Sequence, residues 1–516
     1  MKGENHPAGR VDNVPRKISI VVSGASGFIG SNFVNAVKDD FYIYALARRS
    51  QMEAGVPGHS NIQWLRGDIG KKDHVENMIE EIARGGRVDY FFHFAGYYDF
   101  TNKDNVEYQR TNIDGSRFLL EGAEKLGVKR FIFTSSVTVT DFLGPNSGRI
   151  IDEKSPADAA FPYAVSKRAC EELLREHSAR FACTVVRAAA IFSDWCEYGP
   201  LYVLLKTWLS KSLRIRYIAG KGFTALPYLH VLDLISLFNR IIARHDQLPR
   251  FHIVVASQNG SVSHNEIYET AYKYFFGRRG SPVHVPKVLA AAYICMINLL
   301  GKFTGEAPFE RLWMLRYTDQ QMSVDASFTM RQLDWLPSAR HHLLRRLLFL
   351  VENMKRNSAI WDFKNELMAR KSVEDRPSLL IYETMLSCKD EIVGEHVRYL
   401  SDPGNRSKFP SYQQLDAKSL RIRVECIYEM FELVLLNGDR PLLLCYTNFL
   451  AKQRLKEGFG LDELCDDLLK NSASIESRLR QLPSLQKYQQ KIHDEIGLTM
   501  QMIIDEVKDV YDSLNR

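Results

Sequence analysis

The stretch Lys17–Val22, KISIVV, is short, apolar and rich in β-branched residues, and it runs straight into SGASGFIG and then the helix-like SNFVNAVKDD. An uninterrupted apolar run of this kind predicts a buried strand. Gly24, Gly27 and Gly30 form G-x-x-G-x-x-G between that strand and the helix. Such a turn needs glycine because the chain bends tightly, approaches a pyrophosphate closely and packs helix against strand. The N-terminus of the helix then offers free N–H groups and partial positive charge to phosphate. A strand–turn–helix unit of this type restricts the chain to a dinucleotide-binding α/β architecture.

The following segments agree. FYIYALAR, DYFFHFAG (89–96), KRFIFTSS (129–136), CTVVRAAAIF (183–192) and FHIVVAS (251–257) read as further strands, several of them preceded by helical stretches. Strands alternating with helices predict parallel pairing, so the expected fold class is an α/β, Rossmann-type doubly wound sheet with a small substrate lobe. Beyond residue 355 glycine becomes sparse and apolar residues recur at helical spacing, as in 420–436 and 498–514. An all-α C-terminal domain is expected there. The domain reading is a disordered N-terminus over 1–16, an NAD(P)-binding domain over 17–355, a linker over 356–377 and a helical sensory or dimerisation domain over 378–516.

Bulk properties exclude several classes. The net charge of +6 over 516 residues does not indicate nucleic acid as a partner. Residues 357–516 carry −4, which leaves +10 on residues 1–356, a balance that suits a phosphate-bearing cofactor. Eight scattered cysteines without C-x-x-C or paired Cys/His spacing argue against a zinc site or a disulfide framework, so no metal is expected. The polar N-terminus lacks the apolar core of a secretory leader, and a cytoplasmic location is expected. The longest apolar run, Val288–Leu300, spans 13 residues, too short for a bilayer span, and reads as a buried or amphipathic helix.

Cofactor choice follows from the end of the second strand. NAD-binding domains place an acidic residue there for the ribose 2′-hydroxyl. ALARRS instead places Arg48 and Arg49 there, which suit a 2′-phosphate, so NADP is expected, with NAD as the alternative. FPYAVSKRACEELL puts Tyr163 and Lys167 four residues apart at the start of a helix, on one face. A nearby ammonium stabilises a phenolate and lowers the tyrosine pKa from about 10 towards working pH. Tyr202–Lys206 and Tyr217–Lys221 share the spacing. Only Tyr163 has a candidate hydroxyl partner, in FIFTSS at the carboxyl edge of a preceding strand, where ligands bind in open sheets.

With these motifs in order, the chain resembles the extended short-chain dehydrogenase/reductases, the NAD-dependent epimerase/dehydratase family, over roughly residues 17–350. The resemblance rests on GASGFIG (24–30), GDI (67–69), HFAG (93–96), TNIDGS (111–116), FIFTSS (131–136), YAVSK (163–167) and LDWLP (333–337). It implies Tyr163 as general acid/base and Lys167 as a second hold on the nicotinamide ribose. Ser136, or alternatively Ser135, would hydrogen-bond the reacting oxygen, and Asn112 would brace the site. Ser26, Phe28, Ile29, Asp68, Ile69, Ala95 and Gly96 would join the glycines and arginines around the cofactor, with Asp68 on adenine. Dehydratases of the family follow the active hydroxyl with an acidic pair, whereas Val137 and Thr138 follow Ser136 here.

A small-molecule substrate, apolar or sugar-linked, is expected against aromatic walls drawn from Phe92, Tyr97, Tyr98, Phe100 and the segment 193–209, with Arg214, Arg216 and Arg316 as diphosphate contacts. His230 and Asp233 read as structural. FPSYQQLD (409–416) and AKQRLKEGFGLDEL (451–464) resemble the helical sensory domain of RsbRD-type stress-signalling proteins. A homodimer is expected. The leading function is an NADP-dependent oxidoreductase interconverting a carbonyl and an alcohol. The alternatives are a nucleotide-sugar epimerase with retained cofactor and an NADP(H)-sensing regulator.

Overall fold

In the computed structural model, which describes residues 17–49, 51, 54–210, 217–304, 309–369, 377–437 and 440–514, the strand after Lys17 lies near the middle of a seven-stranded sheet. Its strands are β1 (Ile18–Ser23), β2 (Phe41–Ala47), β3 (Ile62–Arg66), β4 (Tyr90–His93), β5 (Arg130–Ser136), β6 (Ala182–Ala188) and β7 (Phe251–Ala256). They are ordered 3-2-1-4-5-6-7, and all pairs are parallel. The order reverses between β1 and β4, the switch point where doubly wound sheets bind ligands outside the carboxyl ends of their strands.

Side chains alternate across a pleated strand, so a sheet covered on both faces reads as continuous apolar runs. Ile20 and Val22 pack with Phe33, Phe92 and Phe238 on one face, while Val21 packs with Phe91, Leu119, Phe131 and Leu174 on the other. The helices that bear on the site are α1 (Phe28–Val37), α2 (Lys72–Gly85), α3 (Gly115–Leu126) and α4 (Pro162–His177). A π-helical turn, Tyr108–Asp114, leads into α3. Strand β3 goes unread in the sequence because NIQWLR mixes polar and apolar residues at the sheet edge, where one side of the strand has no partner.

The chain divides into two compact units, Met1–Asn353 and Met354–Arg516. The second has its own core, which includes Ile392, Tyr428, Phe431, Leu468 and Ile503, built from helices that include Pro377–Ser401, Ala417–Asn437, Leu461–Arg480 and Gln489–Leu514. Within the expected linker 356–377, Ser358–Ala369 is helical and residues 370–376 lie outside the described residues. The expectation of disorder over 1–16 also falls outside them. His396 is buried against Asp467 at 2.6 Å, and Tyr412 donates its hydroxyl to the other oxygen of the same carboxylate. Among the described residues no cluster of His, Cys, Asp and Glu is arranged to hold a metal, and no helix is long and apolar enough to cross a membrane.

Candidate active site

The glycine turn is shaped by what surrounds it. Gly24 has φ +75°, and a Cβ there would stand 2.5 Å from the Ala95 nitrogen, because the turns after β1 and β4 abut at the switch point. A Cβ on Gly30 would collide with the Gly24 carbonyl, so α1 presses directly on the turn. Gly27 caps α1 in an extended conformation with no side-chain cap and no acidic residue in the first turn. The first N–H groups of the helix are therefore free to meet an anion. Ser26, Phe28 and Ile29 are partly exposed along the turn. Arg49 donates to the Ser26 carbonyl, Trp64 Nε1 donates to the Arg49 carbonyl at 2.9 Å, and Arg48 is exposed. The tight turn, the uncapped helix and two arginines at the end of β2 fit a phosphate-bearing dinucleotide.

Behind the turn, His93 at the end of β4 hydrogen-bonds Ser23 Oγ at 2.7 Å through Nδ1 and Ser116 Oγ at 2.9 Å through Nε2. Burial, reinforced by the Lys167 charge, pushes its pKa down to about 3, so it is a neutral strut between β1 and α3. HFAG contains His93, but the histidine's structural role depends on serines about seventy and twenty residues away in sequence, which no local pattern joins.

Helix α4 starts with Pro162 in its first turn, after an extended Phe161. Proline suits that position because its missing N–H would be unpaired anyway. Tyr163 and Lys167 then lie one turn apart. Lys167 is buried, donates from Nζ to the Thr134 carbonyl of β5 at 2.9 Å, and stands 5.8 Å from the centre of the Tyr163 ring. A Cβ on Gly96 would be 3.5 Å from both Lys167 Nζ and Asn112 Oδ1, so these three residues meet at the end of β4. Asn112, on the π-helical turn, accepts from Tyr97 N at 2.6 Å and donates from Nδ2 to Tyr97 O and to Ser166 Oγ, each at 3.0 Å. It ties the loop after β4 to α4 next to Tyr163, as a bracing residue would.

The two serines ending β5 diverge. Ser135 is buried and donates to Glu171 at 2.6 Å, and Glu171 in turn pairs with Arg187 at 2.8 Å, so its hydroxyl is committed to the interior. Ser136, on the opposite face, shares its Oγ with Thr138 at 2.8 Å and is partly exposed, two residues beyond the carbonyl that Lys167 grips. The Ser135–Glu171–Arg187 network escapes the sequence reading because its members come from β5, α4 and β6. Of the other Tyr/Lys pairs, Lys206 donates to Tyr202 at 2.7 Å within the helix Gly199–Trp208, while Tyr217 and Lys221 lie on a strand and a turn.

Two expectations need correction. The four-residue spacing from Lys167 does not by itself acidify Tyr163: desolvation, and after it the Tyr108 hydroxyl, raises its pKa above the ordinary phenol value, although the side chain is partly exposed. Lys167 spends its charge on a backbone carbonyl, and its own pKa is lowered by burial. Of the four aromatic residues expected to wall the substrate, Phe92 belongs to the core, with Phe33 at 4.6 Å and Phe238 at 5.5 Å. Tyr97 is fixed by Asp99 at 2.7 Å. Tyr98 packs on Tyr163 at 4.5 Å and on Phe100 at 4.5 Å, so these two rings approach the site.

Asp68 follows β3 and is half-buried, with one carboxylate oxygen accepting from Arg110 at 2.8 Å and the other from Gly70 N at 3.0 Å. Burial works against its ionisation, but these donors hold its carboxyl below the usual range. Ile69 is buried and abuts Gly115 at the start of α3. His230 pairs with Asp194 at 3.4 Å, and Asp233 accepts from His341 at 2.7 Å. Arg316 lies in the short turn Leu312–Tyr317, and Arg214 and Arg216 lie outside the described residues.

Residues 20–256 match the model of the NAD dependent epimerase/dehydratase family. The dTDP-D-glucose 4,6-dehydratase of Mus musculus is 24% identical over 237 residues, covering 44% of this chain and 64% of that protein. The N-acetyl-alpha-D-glucosaminyl-diphospho-ditrans,octacis-undecaprenol 4-epimerase of Escherichia coli O157:H7 is 30% identical over 214 residues, 41% of this chain and 59% of that protein. The chain thus spans less than two-thirds of the length of these curated relatives. A solved UDP-glucose 4-epimerase of Thermotoga maritima shares the fold, with a TM-score of 0.51 and 20% identity, covering 66% of this chain and all of that one. None of these matches supports the RsbRD-type resemblance of the helical unit. The glycine turn, the parallel sheet and the Tyr/Lys helix all fall within the matched span, and residues 20–256 of this chain are a domain of the NAD dependent epimerase/dehydratase family.

Proposed function

We propose that the first unit is an NADP-dependent oxidoreductase that interconverts a carbonyl and an alcohol, with Tyr163 as general acid/base. The observation that carries this reading is the convergence of Tyr163, Lys167, Asn112 and Gly96 at the carboxyl end of β4 and β5, beside the glycine turn. When bound, the nicotinamide cofactor supplies the hydride chemistry. Tyr163, its phenol pKa raised above the ordinary value by desolvation, donates the proton to the substrate oxygen. Ser136 offers a second hydroxyl to that oxygen as charge develops on it. Lys167 would hold the ribose hydroxyls of the bound cofactor, and Asn112 keeps the loop after β4 in register with α4. Gly24, Ser26, Gly27, Phe28, Ile29 and Gly30 would hold the pyrophosphate of the cofactor, and Asp68, Ile69 and Ala95 would belong to the same cofactor site.

Arg48 and Arg49 support NADP over NAD: a guanidinium pairs with a 2′-phosphate, and Arg49 is already held over the turn by Ser26. The dissociation constants of NADPH and NADH check this. Tighter NADPH binding that is lost in Arg48→Ala/Arg49→Ala supports it, and an NADH preference sinks it.

A second reading, a sugar epimerase with retained cofactor, is favoured by several of the relatives, which are named as epimerases and dehydratases of nucleotide- or lipid-diphosphate sugars. Loss of Tyr163 removes activity in either case, but only the reductase consumes nicotinamide stoichiometrically. The dehydratase reaction is disfavoured by Val137 and Thr138 at the positions of the acidic pair. The helical unit lies outside the matched residues, and a sensory or dimerisation role for it belongs to this proposal.

A further inference from the structure

The run Val288–Leu300 is part of the helix Lys287–Thr304, and its apolar character is not used up by packing. Ala290 and Ile294 are buried, while Val288, Leu289, Met296 and Leu299 are 78%, 60%, 51% and 57% exposed. Ala292 and Cys295 complete the outward stripe, at a spacing that repeats on one helix face. Soluble surfaces scatter large apolar residues singly, so a continuous stripe marks an interaction face. Beside it, Val283 and Tyr217 on the adjoining two-stranded pair are also about half-exposed.

Charge identifies the occupant. Residues 270–305, between Glu269 and Glu306, contain five Lys/Arg and no Asp or Glu, and Lys273, Arg278 and Arg279, which precede the helix in sequence, are exposed. An apolar helix face flanked by cations is the pattern of a helix lying in the headgroup region of an anionic bilayer. A second copy meeting this face symmetrically would set the same basic segment against itself. We infer that the helix Lys287–Thr304 docks the protein on an anionic lipid surface, its apolar stripe in the interface and its flanking cations on the headgroups.

The docking face is connected to the site. The ring of Tyr163 touches Tyr98, Tyr98 touches Phe100, and Phe100 lies 5.3 Å from Phe309, just beyond the helix. Arg311 donates to Asn298 on the helix at 3.0 Å, so this segment and the helix are joined. Docking would therefore hold the aromatic approach to Tyr163 next to the membrane. It does not depend on the hydride-transfer reading, and the test below uses no turnover.

The full chain is floated with vesicles of phosphatidylcholine alone or mixed with phosphatidylglycerol, at low and high salt. The wild type is expected to float with the mixed vesicles at low salt and much less with the neutral ones. Arg278→Glu/Arg279→Glu should lower partitioning roughly tenfold or more, and Leu289→Glu/Met296→Glu should abolish it. All four side chains are exposed, and circular dichroism checks the fold; should the apolar variant misfold, the arginine variant and the salt dependence decide. Absence of flotation, equal flotation with neutral vesicles, or flotation unchanged by both variants overturns the inference. So does a dimer, seen by light scattering without vesicle binding, that Leu289→Glu/Met296→Glu dissociates, since a second copy would then cover the face.

Discussion

In the proposed reaction Tyr163 enters as an acid, since its surroundings raise the phenol pKa above its ordinary value. Reduction of a carbonyl should therefore be nearly flat between pH 6 and 8, whereas oxidation, which needs the phenolate, should rise about tenfold per pH unit towards alkaline pH. Steady-state rates in both directions measure this, and an oxidation rate that levels off near neutral pH would contradict it. Tyr163→Phe should lower turnover by roughly 10²–10⁴-fold while leaving cofactor affinity nearly unchanged, and Lys167→Met should weaken both. His93 carries a stability prediction. Its folded pKa of about 3 lies below the ordinary histidine value, so the unfolded chain takes up a proton that the folded chain refuses. Stability should fall as pH drops from 6.5 towards 3, by on the order of 2 kcal/mol at pH 5, and His93→Gln should flatten that slope in pH-dependent urea unfolding. Tyr163, Lys167 and the glycines were legible in sequence because their chemistry needs fixed local spacing. The loss of Phe92 to the core, the capture of Ser135 by Glu171 and the raised Tyr163 pKa depend on tertiary neighbours that spacing does not encode.

At the scale of elements, the turn between β1 and α1 has the least freedom. Gly24→Ala meets both a left-handed backbone and the Ala95 nitrogen, and should cost more than about 1 kcal/mol of stability along with cofactor affinity. Chemical denaturation and NADPH titration of that variant check the expectation, and an alanine tolerated without loss in either would contradict it. Buried strands such as β1 and β4 were readable because burial on both faces leaves an unbroken apolar run. The edge strand β3 was not, since half of its surroundings are solvent. The run 288–300 announced a helix, but which of its faces would be left outside was decided by packing against Leu312–Tyr317 and its neighbours.

For the whole molecule, two units with separate cores imply two unfolding events. Calorimetry should resolve two transitions, and NADPH at about 100 times its dissociation constant should stabilise one of them by about 2.7 kcal/mol, an upward shift of roughly 4 °C. Movement of both transitions together would show that the units unfold as one. The central claim is that Tyr163 delivers a proton as the nicotinamide delivers a hydride. It is tested most directly by incubating the full chain with NADPH deuterated at the transferring position and a small-molecule cell extract, then reading deuterium incorporation by mass spectrometry. The wild type should label at least one alcohol, and Tyr163→Phe, still binding NADPH, should label none. Labelling that survives in Tyr163→Phe, or no labelling by the wild type, would contradict the account.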